Sequence, residues 1–157
     1  MRPLLVGESN PRGADARFAL WPAPEGCSGW RLCRLLGLTS EDYLARFARA
    51  NLLTGGGEWD ARAAREEADR RLDDPAGHGE LVLLGRRVQA AFRLSSSVEP
   101  VRRLTTNFGR AAGPFGAGRA WRVVVLPHPS GLCRSWNDPA VVVAARDAVS
   151  WLEGGGA

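Results

Sequence analysis

With 157 residues, 45% of them apolar, the chain has material for one domain around one sizeable core. The formal charge is +4 and all 21 basic residues are arginine, a balance that suits bidentate contacts to a polyanion without demanding them. Three cysteines, Cys27, Cys33 and Cys133, show no C-x-x-C spacing and argue against a disulfide framework or a metal cluster, and no apolar run reaches the roughly 18 residues of a membrane span. The apolar run near the N-terminus is too short for a signal peptide, so the expected compartment is the cytoplasm.

Four short apolar runs read as strands: "PLLVG" at 3–7, "RANLL" at 49–53, "ELVLLG" at 80–85 and "WRVVVLP" at 121–127. None alternates apolar with polar residues, which fits strands covered on both faces of a parallel sheet. Helical stretches separate them. "SGWRLCRLLGL" carries Leu32, Leu35 and Leu36 at helical spacing behind Ser28 as N-cap, and "SEDYLARFARA" opens on a cap-like Ser40. "EWDARAAREEADRRLDD" is a charged, Ala-rich helix whose Glu66 and Glu67 read as a solvated face. "GRRVQAAFRL" follows the third strand, and the last helix, "DPAVVVAARDAVSWLEG", opens with Asp138 as N-cap and Pro139 in its first turn. The segment 94–120, rich in Ser, Gly, Pro and Arg, reads as a long exposed excursion. This order predicts the α/β class: a three-layer α/β/α sandwich with a central four-stranded parallel sheet, one domain over 1–157.

Ligands of such sheets sit beyond the carboxyl ends of the strands. There the first strand exits into "VGESNPRG", where Gly7 permits a tight turn and Glu8, Ser9 and Asn10 bring polar side chains to the rim. The second strand delivers Asn51, and the fourth ends in "HPSGL", with His128, Ser130, Gly131 and Leu132. Each residue alone has an ordinary reading: a turn cap for Asn10, loop satisfaction for Asn51, a carbonyl bond for His128. His78 precedes the third strand, at the opposite end of the sheet. Trp30, Trp59, Trp121 and Trp151 read as packing residues. A hydrolase built on His128 and Ser130 is disfavoured, because two residues so close on a Pro-rich turn rarely face each other and no orienting acid is evident.

Taken together, "GESNP", "ANLL", "LLGRRVQAAF" and "HPSGL" resemble, in order and spacing, the motifs of the uracil-DNA glycosylase superfamily, over nearly the whole chain. "HPSGL" is the most specific match, being similar to H-P-S-P-L. The resemblance implies a monofunctional DNA glycosylase that flips out a uracil or 5-modified pyrimidine and hydrolyses its N-glycosidic bond, in base excision repair or in defence against phage DNA carrying modified cytosine. It implies DNA as partner, no metal or other cofactor, and a monomer. His128 is then the donor to the 2-oxo group of the leaving base. Asn10 positions the water, and since an amide is no general base, either the leaving group carries the reaction or Glu8 takes the proton. Asn51 reads the base edge, Phe18 or Trp21 stacks on its face, and Arg12 meets a substituent on a pyrimidine ring that no bulky wall excludes. Leu132 fills the gap left in the duplex, while Ser130, Gly131 and Arg134 contact phosphates. The alternative reading is a DNA-binding module of the same fold with weak or no catalysis, because motif one lacks its Asp.

Overall fold

The computed structural model describes residues 2–10, 13, 15–74, 79–108 and 120–154. Four of its strands grow from the apolar runs: β1 (Leu4–Ser9), β2 (Ala48–Leu53), β3 (Glu80–Leu84) and, in fourth place along the parallel part of the sheet, β5 (Ala120–Leu126). A fifth, β4 (Arg102–Asn107), precedes β5 in the chain. The sheet order is β2-β1-β3-β5-β4, with β4 antiparallel to β5 and every other pair parallel. The expected four-stranded parallel sheet is therefore a five-stranded mixed one. The added strand lies inside the segment read as an excursion. Its residues alternate, with Arg102, Leu104 and Thr106 half-buried and Arg103, Thr105 and Asn107 exposed, as an edge strand covered on one face requires. It lacks the continuous apolar run that marks the inner strands. Residues 109–119 of that excursion lie outside the described residues.

Strand pleating sends successive side chains to opposite faces, and the two faces are both covered. Leu4 and Val6 of β1, Leu81 and Leu83 of β3, and Val123 and Val125 of β5 pack with Ala64 and Ala68 of α3 (Ala61–Asp73) and Val88 and Ala91 of α4 (Arg86–Ala91). On the other face Leu5, Val82, Val124 and Leu126 meet Leu32 of α1 (Ser28–Leu35), Tyr43 of α2 (Ser40–Arg46) and Ala145, Ala148, Val149 and Leu152 of α5 (Pro139–Glu153). The chain is a three-layer α/β sandwich. Each fully buried Leu or Val stabilises it by about 1.5–3 kcal/mol, which is why the inner strands are apolar over Leu4–Val6, Leu81–Leu84 and Val123–Leu126.

Helix starts follow local hydrogen-bonding chemistry. Asp138 caps α5, accepting from the Ala140 N–H at 2.9 Å, with Pro139 in the first turn. At α1 the cap is Cys27 and not Ser28: the Cys27 sulfur accepts from the Trp30 N–H at 3.4 Å, and Ser28 is the first helical residue. At α2 the Thr39 hydroxyl accepts from the Asp42 N–H at 3.0 Å, displacing Ser40 by one position. Glu66 is exposed and pairs with Arg62, but Glu67 is not solvated: its side chain is 11% exposed and bound by Arg70 and Arg71. Trp121 is buried, and Trp59 and Trp151 pack against the two core clusters. His78 lies outside the described residues.

Candidate active site at the strand ends

A cleft of about 440 Å³ opens beyond the carboxyl ends of the strands, lined by Glu8, Ser9, Asn10, Asn51 and His128 among others. β1 runs two residues further than its apolar part suggests, so Glu8 and Ser9 are strand residues and Gly7 makes no turn. Gly7 pairs with Asn51 across β1 and β2. A Cβ at position 7 would stand 2.5 Å from Asn51 Oδ1 and 3.1 Å from Leu20 Cδ2. The bare glycine thus lets the Asn51 amide and the Leu20 side chain close over the strand. Asn51 Oδ1 is buried without a hydrogen-bond partner among the described residues. An orphaned buried carbonyl costs about 1–3 kcal/mol, a cost that a ligand N–H would remove.

His128 reaches the cleft from the end of β5 although β3 lies between β5 and β1. Gly85, at the end of β3, clears its path. Its N–H bonds the Leu126 carbonyl at 2.9 Å, its φ is +91°, and a Cβ there would stand 3.1 Å from His128 Cβ. The backbone of His128 is fixed from below, its carbonyl accepting from Trp136 Nε1 at 3.1 Å. Trp136 is thereby the anchor of the "HPSGL" turn.

Phe18 and Trp21 both line the cleft and meet edge to face at 5.7 Å. Both rings have a guanidinium beside them, Arg49 at 5.2 Å from Trp21 and Arg17 at 5.9 Å from Phe18. Phe18 is exposed, at 51%, whereas Trp21 is half-buried, so Phe18 keeps the more accessible ring. Their loop is held tightly: the Leu20 carbonyl accepts from Tyr43 Oη at 3.0 Å, the Ala19 carbonyl from Arg49 Nε at 3.3 Å and the Trp21 carbonyl from Cys27 Sγ at 3.2 Å. Gly29 lies directly under the Leu20 and Trp21 carbonyls, where no Cβ fits. Burial pushes the Tyr43 phenol well above its ordinary value of 10.0.

Charge in the cleft is unevenly compensated. Glu8 is bound by Arg87 at 3.4 Å, and that guanidinium lies 5.7 Å from the Trp59 ring. Asp15, which the sequence reading passed over, also lines the cleft; Arg17 binds it at 2.7 Å and, by that hydrogen bond, holds its carboxyl below the usual value. Arg31 is the other charged lining residue missed, since an arginine in an amphipathic helix reads as solvated. Ser130 and Gly131 line the cleft, while Leu132 stands beyond it, 93% exposed, and Arg134 is exposed at the start of a short 3-10 turn. Arg12 lies outside the described residues. A second cavity, of about 730 Å³ between β2 and α3, meets the first at Asn10, Gly13, Asp15 and Asn51. Among the described residues no group of three or more His, Cys, Asp or Glu is placed to hold a metal ion, and no helix is long and apolar enough to cross a membrane. No family model matches the chain, and no curated protein matches it.

Proposed function

We propose that this chain is a monofunctional DNA glycosylase acting on uracil or a 5-modified pyrimidine. The reading rests on one arrangement: an amide just past β1, an amide from β2 and an imidazole just past β5 line one space, beside a turn that projects an exposed leucine. In this reading Leu132 occupies the stack vacated by the extruded nucleotide, offsetting part of the few kcal/mol that unpairing costs. Asn51 offers its orphaned acceptor to a base N–H, and Phe18 or Trp21 covers the ring for roughly 1–3 kcal/mol. The bond between the base nitrogen and C1′ breaks, and His128 donates a hydrogen bond to the 2-oxo group as negative charge collects on the departing base. A water held by Asn10 adds its oxygen to C1′ and gives up a proton to solvent or to Glu8, leaving an abasic site. The adjoining cavity offers room for a substituent on the ring.

A second reading, a DNA-binding module without chemistry, is favoured by one observation: both carboxylates lining the cleft, Glu8 and Asp15, are engaged by arginines. Alkaline cleavage of duplexes carrying uracil, thymine mismatches, hydroxymethylcytosine or glucosylated cytosine separates the two. The glycosylase reading expects strand breaks on at least one of them and a loss of roughly 10²-fold or more in His128→Ala. Duplex binding by the parent protein with no abasic product on any substrate leaves only the module. Breaks confined to plain uracil end the idea of a pocket open to 5-substituents.

A further inference from the structure

Several arginines of this protein are held by carboxylates: Arg46 by Glu153, Arg87 by Glu8, Arg93 by Asp69 and Arg122 by Glu80. Arg31 lines the cleft itself, and no carboxylate lies within ion-pair distance of it among the described residues. Its Nε donates to the Gly26 carbonyl at 2.8 Å, which fixes the plane of the guanidinium. Its terminal nitrogens lie directly against Gly131, in space that a Cβ at 131 would fill. With Glu8 and Asp15 compensated, the cleft keeps one uncompensated arginine charge among its described lining residues, placed between Ser130 and Gly131 on one side and the start of α1 on the other.

We infer that Arg31 binds a backbone phosphate of the target strand next to the extruded nucleotide, and that its contact with Gly131 ties this capture to the turn that presents Leu132. The inference rests on the DNA reading above and names a residue outside the "HPSGL" turn. A fixed guanidinium with no carboxylate partner among the described residues presents donors in a fork matched to phosphate oxygens, and the missing side chain at 131 lets it approach the turn. The glycine and the arginine act as one unit, because any side chain at 131 would expel the guanidinium.

The test uses the full chain and a short duplex with one central deoxyuridine, with binding measured across a salt series. A single phosphate contact contributes about 0.9 to the slope of log K against log salt. Arg31→Gln is expected to lower the slope by about that amount and to weaken binding roughly tenfold at low salt, with Arg31→Lys restoring the slope but only part of the affinity. A methylphosphonate walked along the target strand gives the second measurement: at one position it weakens the parent protein and leaves Arg31→Gln unaffected. A slope equal to the parent's in Arg31→Gln, or equal sensitivity of both proteins at every methylphosphonate position, overturns the assignment of Arg31 and leaves the DNA reading standing. If Arg31→Gln does not fold, Arg31→Met, which keeps an unbranched side chain without the charge, takes its place in both measurements and is read by the same criterion. A parent protein that binds no duplex at any salt overturns both.

Discussion

At the scale of single residues, the candidate site is shaped as much by absent side chains as by present ones. Gly7 and Asn51 face each other across paired strands, with the amide oxygen where a Cβ of residue 7 would be. Gly7→Ala must push Asn51 out of place or bend β1, and we expect it to lower the unfolding free energy by about 1–3 kcal/mol in urea titrations. If the conflict is with the Asn51 amide, then Asn51→Ala removes its cause, and the double variant should fall short of the sum of the singles by about 1 kcal/mol. Strict additivity would place the conflict elsewhere, at Leu20. The sequence pointed to Asn51 because the second strand carries its amide to the rim of the sheet. It gave Gly7 the wrong task, since a glycine near the end of an apolar run reads equally as a turn or as a close approach. Arg31 was illegible: nothing in "SGWRLCRLL" distinguishes an arginine turned to a cleft from one turned to water.

At the scale of elements, the loop bearing Phe18 and Trp21 is a rigid platform built by α1 and α2. Leu20 sits at φ +48°, outside the usual region for a side-chain-bearing residue, and the bond from Tyr43 to its carbonyl helps hold it there. Tyr43→Phe keeps the ring and removes that donor, at an expected cost of about 1–2 kcal/mol. The pH dependence follows from the raised phenol. Burial favours its neutral form, so its contribution is complete below the unfolded-state value near 10.0 and is lost as pH rises toward the higher folded-state value. In that window the unfolded chain releases a proton the folded chain keeps, and stability should fall by up to about 1.4 kcal/mol per pH unit. Tyr43→Phe should lose that component of the alkaline slope and keep the one that the Cys33 thiol, also raised by burial, sets in at lower pH. Identical slopes in the two proteins, measured by denaturation across the alkaline range, would remove Tyr43 from the account. The cap of α1 shows why such platforms escape a sequence reading: Ser, Thr, Asp and Asn are the residues sought at N-caps, and here a thiol, Cys27, does the work beside an available serine.

At the scale of the whole molecule, the sheet order imposes a crossing problem. β3 separates β1 from β5, yet Asn10 and His128 line the same cleft, so the end of β3 must be low enough for the β5 exit to pass over it. Long apolar runs made the parallel strands legible, and the continuous burial of β3 and β5 explains why. β4 was hidden because an edge strand covered on one face needs only half of its positions to be apolar, and it uses polar residues even there. The order of strands was not written in any local pattern, and with it the role of Gly85 was out of reach. That glycine combines a positive φ with His128 packed against it and opens α4 without a side-chain cap. Gly85→Ala therefore strains the backbone by about 1–3 kcal/mol and displaces the imidazole. A shift of the order of 1 Å in a reacting group costs roughly 10²-fold, so on the proposed glycosylase reading the loss of cleavage should exceed the loss of folded protein at assay temperature. Gly57→Ala, where a Cβ meets nothing within 4 Å, is the control and should leave stability within about 0.5 kcal/mol of the parent. Thermal unfolding and single-turnover cleavage on the same preparations compare the two; Gly85→Ala with parental cleavage rates would show that His128 does not need the clearance β3 provides.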